Sequence, residues 1–225
     1  MKEKDVVLVI APHPDDETLG CGGALLKHKA KGDEVHWLIV TEMREDLGFA
    51  PEKQQQRQAE IEAAAKAYGF AQTHHLGWPV MQLDLVPMSD LVTSIAQVVQ
   101  EIGATTLYLP YRGDAHSDHA YVFDAAVACS KSFRYPSVKR VRVYETLSET
   151  NFGLNTQDSG FQPNLFIDIS DHLEGKIDIM RIFASEMAPH PFPRSEVSIR
   201  ALASLRGSQV ACMAAESFMQ LKDIQ

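Results

Sequence analysis

The sequence predicts a three-layer α/β/α sandwich around a mostly parallel sheet. Apolar segments of strand length alternate with segments of helix length, an order typical of parallel sheets that are covered by helices on both faces. The first segment, Val6–Ala11, contains only apolar residues, as expected for a strand that is buried on both faces. A chain of 225 residues, 45% of them hydrophobic, can bury the core of one domain, and we expect residues 1–225 to form that domain.

The other elements are predicted from the same patterns. A helix-length segment at 18–31 separates the first strand from a second apolar strand at 34–41, which gives a β-α-β unit with a right-handed crossover. Gly69 and Gly103 follow helical patterns at the position where glycine ends a helix. Further helices are predicted at 51–68, 88–102, 170–186 and 195–220 and in the segment that ends at 129, and further strands at 105–110, 141–146 and 165–169.

Composition excludes several classes of function. The formal net charge of −9 argues against a nucleic-acid footprint and against binding to anionic membranes, so we expect a small-molecule substrate. The sequence has no apolar stretch of transmembrane length and no cleavage site of a signal peptide near residue 1, which predicts a cytoplasmic protein. Three widely spaced cysteines, Cys21, Cys129 and Cys212, do not indicate a disulfide framework or a zinc finger, and we expect all three to be buried.

Two clusters of polar residues follow predicted strands. His-Pro-Asp-Asp-Glu occupies residues 13–17, directly after the first strand, and a second segment rich in His and Asp, 114–119, follows the strand at 105–110. Ligands bind at the carboxyl ends of the strands in open α/β sheets. We therefore expect both clusters to lie at the same edge of the sheet.

Three residues of these clusters have the chemistry and spacing of a zinc site. Catalytic zinc is usually held by three protein ligands, often histidine mixed with carboxylate, and a fourth position holds water. His13 and Asp16 can converge where the chain turns from strand to helix, and His119 would arrive from the neighbouring loop. We predict these three as the metal ligands.

The remaining polar residues of the clusters predict hydrolytic chemistry. Zinc lowers the pKa of bound water towards about 7, and a free carboxylate can accept the proton as the water attacks a carbonyl carbon. Asp15 is the predicted general base. His116 is the predicted group that stabilises the oxyanion or protonates the leaving amine, with Asp118 holding its ring and raising its pKa.

Each cluster also has a structural interpretation. Asp15 and Asp16 are residue types that cap helix N-termini, and His116 and His119 can be surface residues near a helix start. Two such clusters on the same edge of one sheet favour the metal site.

The paired motifs resemble the PIG-L, or LmbE-like, zinc-dependent de-N-acetylase family. They are His-Pro-Asp-Asp-Glu at 13–17 and His-Ser-Asp-His at 116–119, about a hundred residues later. Weaker matches occur at Arg57 and Glu60 and at 76–79, 164–170, 206–209 and 215–218. The resemblance implies a Rossmann-like fold and hydrolysis of an N-acetyl group, usually from an N-acetylglucosamine unit, with release of acetate and a free amine. By position, it also implies zinc on His13, Asp16 and His119, Asp15 as the base, and His116 as the polarising or acid residue. The resemblance further implies a homo-oligomer.

Two segments depart from the family pattern. Residues 41–46 lack a glycine-rich motif that is common in relatives, and Val80 stands where many relatives have aspartate. Both segments are expected to border the substrate. Arg44 either grips a hydroxyl, carboxylate or phosphate of the substrate or forms a surface salt bridge with Glu45 or Asp46.

Other residues have structural interpretations. Arg57 and Glu60 are spaced for an ion pair on one helix. His74 and His75 are expected in a loop or at an edge, and His190 at the rim of the site in the Pro-rich segment 189–193.

Three other functions compete with this interpretation. A dinucleotide-binding protein would need its glycine motif directly after the first strand, and the glycines at 20–23 come too late. A non-catalytic, metal-binding regulatory protein would not need Asp15 and His116. A zinc amidase that acts on a non-sugar acyl-amine cannot be distinguished from a sugar deacetylase by sequence.

Overall fold

The computed structural model describes residues 4–154 and 159–225. In these ranges one seven-stranded sheet has the order β3-β2-β1-β4-β5-β7-β6. The strands are β1 Val6–Ala11, β2 Glu34–Glu42, β3 Gln72–Pro79, β4 Thr106–Pro110, β5 Arg140–Tyr144, β6 Leu165–Asp168 and β7 Ala215–Asp223. The helices are α1 Asp16–Lys31, α2 Pro51–Tyr68, α3 Met88–Glu101, α4 Ser117–Ala128, α5 Leu173–Met180 and α6 Glu196–Ser208.

The predicted three-layer fold is confirmed. Strands β1 to β5 are parallel, and β7 lies antiparallel between β5 and β6. Because side chains alternate along a strand, Val7 and Val9 pack into one core with α1, α2 and α5, whereas Leu8 and Ile10 pack into a second core with α3 and α4. No helix within the described ranges is both long enough and apolar enough to span a membrane.

The strand order places the two polar clusters side by side. From β1 the chain runs outward through β2 to β3 and then returns to the other side of β1 as β4. The loop that follows β1 and the loop that follows β4 therefore run in opposite directions, which opens a crevice between them at the carboxyl ends of these strands. The first cluster follows β1 and the second follows β4, as the sequence predicts.

The C-terminal third differs from its prediction. The helix predicted at 195–220 ends at Ser208, and the chain continues as β7. Ala215 to Phe218 of β7 are all buried, so the first half of this strand shows none of the alternation of a half-exposed strand. The helix predicted at 170–186 is shortened to α5, and strand β3 was not predicted because most of its residues are only half-buried.

The glycine-rich start of α1 serves packing. A Cβ at Gly20 would lie 2.2 Å from the ring of Tyr144, and one at Gly23 would lie 2.7 Å from Ile169. These glycines let α1 approach the sheet closely, which is a different use from phosphate binding. The helix is irregular at Cys21, and the amides of Gly23 and Ala24 donate to the carboxylate of Glu216 on β7 at 2.9 and 2.7 Å.

The cysteine prediction is correct for two of three residues. Cys21 and Cys129 are buried free thiols, whereas Cys212 is half-buried in the turn before β7. No disulfide links them.

Candidate active site

His13, Asp16 and His119 converge at the carboxyl ends of β1 and β4. Asp16 begins α1, and its Oδ2 lies 3.3 Å from His13 Nδ1 and 3.3 Å from His119 Nε2. One potential ligand atom from each of the three residues lies within 4.8 Å of the other two. The same Oδ2 accepts a hydrogen bond from the His13 amide at 2.9 Å, which closes the turn between strand and helix.

Each of the two histidines is held by a second carboxylate. His13 Nε2 donates to Asp118 Oδ2 at 3.1 Å, and His119 Nδ1 donates to Asp114 Oδ2 at 2.7 Å. The remaining ring nitrogen of each histidine faces Asp16. Metal-ligating histidines are typically oriented by this kind of bond, which fixes the tautomer and makes the free nitrogen more basic.

The residues present fit a metal ion. His119 is fully buried, and its Nε2 has no hydrogen-bond partner among the residues that the structure describes. With Nδ1 bonded to Asp114, Nε2 is the ring nitrogen available to a metal, and buried polar atoms are rarely left without a partner. Two imidazole nitrogens and one carboxylate oxygen are a donor set that zinc accepts.

Asp114 was not given a role by the sequence analysis. It lies five residues before His119, and its Oδ1 accepts from the Thr150 hydroxyl at 2.6 Å. Burial raises the pKa of Asp114, while the bonds to His119 and Thr150 act in the opposite direction. The only signal in the sequence was its position at the start of the second cluster.

Asp118 contacts His13 more closely than it contacts His116. Its Oδ2 lies 3.8 Å from His116 Nδ1, and it also accepts from the Met81 amide at 2.8 Å. The predicted grip on the His116 ring is therefore the longer of the two contacts. Met81 is itself in the left-handed region, with φ of 62°.

The pKa of His116 moves in the direction opposite to the prediction. Burial and the neighbouring His13 lower the pKa of His116 to about 4, although Asp118 alone favours the protonated ring. His116 caps α4, because its Nδ1 accepts from the Asp118 amide at 3.2 Å. The neutral ring therefore carries its proton on Nε2.

Asp15 stands beside the three converging residues and is buried, with 5% of its surface exposed. Asp15 occupies the N-cap position of α1, as the structural interpretation expects, but its side chain accepts no capping hydrogen bond. Burial, and then the negative charge of Asp16, raise the pKa of Asp15 to about 7. Its φ of 125° lies in the left-handed region, and such strain costs about 1–3 kcal/mol and persists where the surroundings enforce it.

Glu17 supports the backbone of Asp15 from within the core. The Asp15 amide donates to Glu17 Oε2 at 3.1 Å, and the Thr18 hydroxyl donates to Oε1 at 2.6 Å. Tyr68 on α2 in turn donates to the Thr18 hydroxyl at 3.0 Å. Burial raises the pKa of Glu17 to about 7. The carboxylate thus fixes the strained turn, a role that its place in the motif did not reveal.

A cavity of about 550 Å³ opens onto the cluster. This volume is in the range of pockets that bind small molecules. Its lining combines charged groups with six large apolar side chains, which are Ile39, Met43, Phe49, Ile61, Val80 and Met81. Both segments that depart from the family pattern border this cavity, as expected, through Thr41, Glu42 and Met43 and through Val80.

Two arginines of the cavity wall are bound to one carboxylate. Arg57 and Arg194 both pair with Glu186, the latter at 2.9 Å. Arg57 also donates to the Pro14 carbonyl at 2.8 Å, and its Nε lies 3.5 Å from Glu60, so the predicted ion pair is present.

Other predicted residues lie outside the cluster. Arg44 pairs with Asp46 at 2.7 Å, its side chain is 42% exposed, and it does not line the cavity within the described residues, so the surface salt bridge is the arrangement observed. His74 and His75 lie on the edge strand β3, and His75 reaches the cavity. His190 lines a separate surface depression that also includes Arg181 and Val197.

Comparison with known proteins identifies the family. The model of the GlcNAc-PI de-N-acetylase (PIG-L) family matches residues 8–130. Diacetylchitobiose deacetylase of Thermococcus kodakarensis is 26% identical over 220 residues, covering 89% of this chain and 77% of that protein. The probable N-acetyl-alpha-D-glucosaminyl L-malate deacetylase 2 of Bacillus anthracis is 23% identical over 196 residues and covers 84% of both chains.

A solved structure has the same fold. The N,N'-diacetylchitobiose deacetylase of Pyrococcus horikoshii, complexed with an inhibitor, superposes with a TM-score of 0.78 at 21% identity, covering 98% of this chain and 85% of that one. The family match spans β1, β4 and both polar clusters. It covers more than half of the chain, and the protein therefore belongs to the PIG-L family of deacetylases.

Proposed function

We propose that the protein is a zinc-dependent N-deacetylase that removes an acetyl group from an N-acetylglucosamine-type sugar and releases acetate and a free amine. One observation carries the proposal: two histidines, each held by its own carboxylate, direct their other nitrogens at Asp16, next to Asp15 in the lining of a cavity. A sugar as the acyl carrier is inferred from the relatives, two of which are named for N-acetylated saccharides.

The metal would be held by His13 Nδ1, Asp16 Oδ2 and His119 Nε2. A zinc ion there supplies Lewis acidity, which polarises the acetyl carbonyl and acidifies water. The choice of zinc follows from the nitrogen-rich donor set, since magnesium and calcium prefer all-oxygen sites.

Asp15 acts as the general base. Its carboxylate accepts a proton from the water that attacks the acetyl carbon, and a pKa of about 7 is matched to accepting a proton and then releasing it. The protonated Asp15 next donates to the nitrogen as the C–N bond breaks. The water hydroxyl thus ends in acetate, and its proton ends on the amine.

His116 stabilises the developing oxyanion as a neutral hydrogen-bond donor. Because its Nδ1 accepts from the Asp118 amide, Nε2–H is the group that it can present to the cavity. A fixed donor of this kind typically contributes about 10²–10³-fold to the rate. The second role predicted from the sequence, protonation of the leaving amine, falls to Asp15.

Two alternatives remain distinguishable by experiment. A non-catalytic metal-binding protein has no need of a strained, buried carboxylate that faces a cavity. A zinc amidase for a non-sugar acyl-amine would use the same residues. One domain over residues 1–225, a cytoplasmic location and a homo-oligomer stay predictions.

The test combines metal analysis with acetate release. Purified protein is expected to contain about one zinc per chain and to release acetate from N-acetylglucosamine or N,N'-diacetylchitobiose. Chelation should abolish the activity, and zinc should restore it. Release from N-acetylated amino acids or polyamines alone would establish the amidase. Zinc without release from any acyl-amine would favour the binding protein, and a folded protein that takes up no metal would refute the proposal.

A further inference from the structure

We infer that the substrate is an uncharged N-acetylated saccharide, and that Glu42 selects it by accepting hydrogen bonds from sugar hydroxyls and by repelling anionic conjugates. This inference rests on the proposed function, because it assigns the substrate class of the same cavity. The relatives named above include one deacetylase named for an uncharged disaccharide and one named for a malate conjugate, so the family alone does not decide between the two classes.

An anionic substrate would need a cation that is free to bind it, usually an arginine fork or a lysine. Within the described part of the chain, the lysine and arginine residues that line the cavity are Arg57 and Arg194. Both are already committed to Glu186, which binds one arginine through each carboxylate oxygen.

Each nitrogen of the Arg194 guanidinium already has a partner, and these contacts use three of its five N–H donors. Its Nε donates to the Glu186 carbonyl at 3.0 Å, one terminal nitrogen pairs with the Glu186 carboxylate, and the other lies 3.3 Å from the Ser148 hydroxyl.

Arg57 is similarly occupied. Its terminal nitrogens donate to the Pro14 carbonyl and to Ser185 and Glu186, and its buried Nε faces Glu60. Neither arginine can turn towards a phosphate or carboxylate without giving up an existing ion pair.

Glu42 is the opposite case. It ends β2 at the cavity, it is exposed, and no hydrogen bond or ion pair occupies its carboxylate among the described residues. Its Oε2 lies beside Gly77 on β3, 3.5 Å from where a Cβ would stand. An ionised carboxylate is an acceptor only, so this position suits a hydroxyl and opposes an anion.

Nearby basic residues do not reverse this balance. Arg44 is bound to Asp46, and the Lys53 ammonium lies 5.8 Å from the centroid of the Phe49 ring without lining the cavity. The cavity lining includes five carboxylates, Asp15, Asp16, Glu42, Glu149 and Glu186. Away from Asp15, Asp16 and the proposed metal, the lining holds three carboxylates, Glu42, Glu149 and Glu186, against two arginines, so its formal charge is −1.

The experiment measures kcat/KM for acetate release by zinc-loaded protein on two matched pairs. N-acetylglucosamine is compared with its 6-phosphate, and N,N'-diacetylchitobiose is compared with N-acetylglucosaminyl malate. We expect the uncharged member of each pair to be preferred by about tenfold, since like charges at contact distance repel each other even where water partly screens them. Glu42→Gln should narrow the preference several-fold, mainly by improving the anionic substrates.

Glu45→Gln is the matched control. Glu45 is exposed, lies three residues further on and does not line the cavity, so the same loss of charge there should leave the preference unchanged. Equal or better turnover of the anionic members, or equal effects of the two substitutions, would overturn the inference while leaving the deacetylase intact.

A binding measurement separates this failure from failure of the proposed function. Calorimetric titration of the four saccharides into zinc-loaded Asp15→Asn protein reports affinity without turnover. Tighter binding of uncharged saccharides that depends on Glu42, with no acetate released by the parent, would retain the inference and refute the deacetylase. No binding of any of the four would refute both.

Discussion

The sheet carries a cluster of histidine and carboxylates at each end, and the two clusters differ in what their histidines contact. Each brings potential metal-ligating atoms within 4.8 Å of one another. At the carboxyl ends of the strands the members are His13, Asp16 and His119, and at the amino ends they are Asp5, His28 and Asp33.

The cluster at the amino ends is closed by its own hydrogen bonds. His28 Nδ1 donates to Asp33 at 2.7 Å, and His28 Nε2 accepts from the Tyr108 hydroxyl at 3.0 Å. Asp5 is paired with Arg140 at 2.7 Å. His119, in contrast, has one bonded nitrogen and one that lacks a hydrogen bond in the described structure. Both clusters bring potential ligand atoms close together, so this proximity alone does not indicate a metal site. A buried ring nitrogen without a hydrogen bond, such as His119 Nε2, is the stronger indication.

The largest effect on turnover is expected at Asp15, because its substitution removes the proposed general base. The cluster at the amino ends has no counterpart of this residue. Asp15→Asn should lower kcat by about 10²–10⁴-fold, the usual contribution of a general base. Zinc content should stay near that of the parent, since Asp15 is not among the proposed ligands. Single-turnover acetate release with elemental analysis measures both quantities, and loss of zinc would instead make Asp15 a ligand.

Metal binding should depend on one cluster and not on the other. His119→Ala is expected to abolish stoichiometric zinc binding, because it removes the ring nitrogen that lacks a partner. His28→Ala changes a buried histidine in the last turn of α1, and this matched control should keep the zinc of the parent. The comparison would collapse if both variants lost zinc, or if His119→Ala retained it in a folded protein.

The carboxylates behind the ligands should matter less than the ligands. Asp114→Asn removes the charge that orients His119, and changes of this kind typically weaken metal affinity about 10–100-fold. Competition with a chromophoric chelator gives the affinity directly. An unchanged affinity would mean that the Asp114 contact serves folding alone.

These supporting residues mark the limit of the sequence analysis. The sequence predicts the proposed ligands and Asp15 because each belongs to a short motif that follows a strand, and adjacent parallel strands bring such motifs together. Asp114 and Glu17 lie in the same motifs, yet their roles depend on ring and carboxylate orientations that only the packed structure fixes. Thr150, which holds Asp114, lies 36 residues further along the chain.

The strands also divide into those that the sequence predicts and those, such as β7, that it does not. Strands β1, β2 and β4 were predicted because they are central, apolar and continuous. Strand β7 differs from the predicted helix because it lies between two strands and is buried over Ala215 to Phe218. This segment includes Glu216 and Ser217, which are buried through hydrogen bonds to other parts of the protein, so its sequence shows neither an apolar run nor a period of two.

At the amino-end cluster the expected effect is on stability. His28→Gln should lower the free energy of unfolding by about 1–3 kcal/mol at neutral pH, because it breaks two buried hydrogen bonds. Burial lowers the pKa of His28 below its ordinary value of 6.5, so the unfolded chain binds the proton more readily than the folded protein.

The parent therefore loses part of this stability as the pH falls below about 6.5, and the variant does not. The difference between the two proteins should shrink with falling pH in urea titrations. A difference that grows towards low pH would show that the folded state favours protonated His28.

The smallest effect is expected at Arg44, two residues beyond the proposed selector Glu42. Arg44 and Asp46 form an exposed pair, and such pairs contribute at most about 1 kcal/mol. Arg44→Ala should therefore leave kcat/KM for uncharged and anionic saccharides unchanged and should shift stability only slightly. A tenfold loss confined to anionic substrates would show that Arg44 leaves Asp46 to bind them. In that event the loop after β2 would supply a cation that is free to bind the substrate, whereas Arg57 and Arg194 of the cavity wall are paired with Glu186. The argument that Glu42 excludes anionic saccharides would then fail.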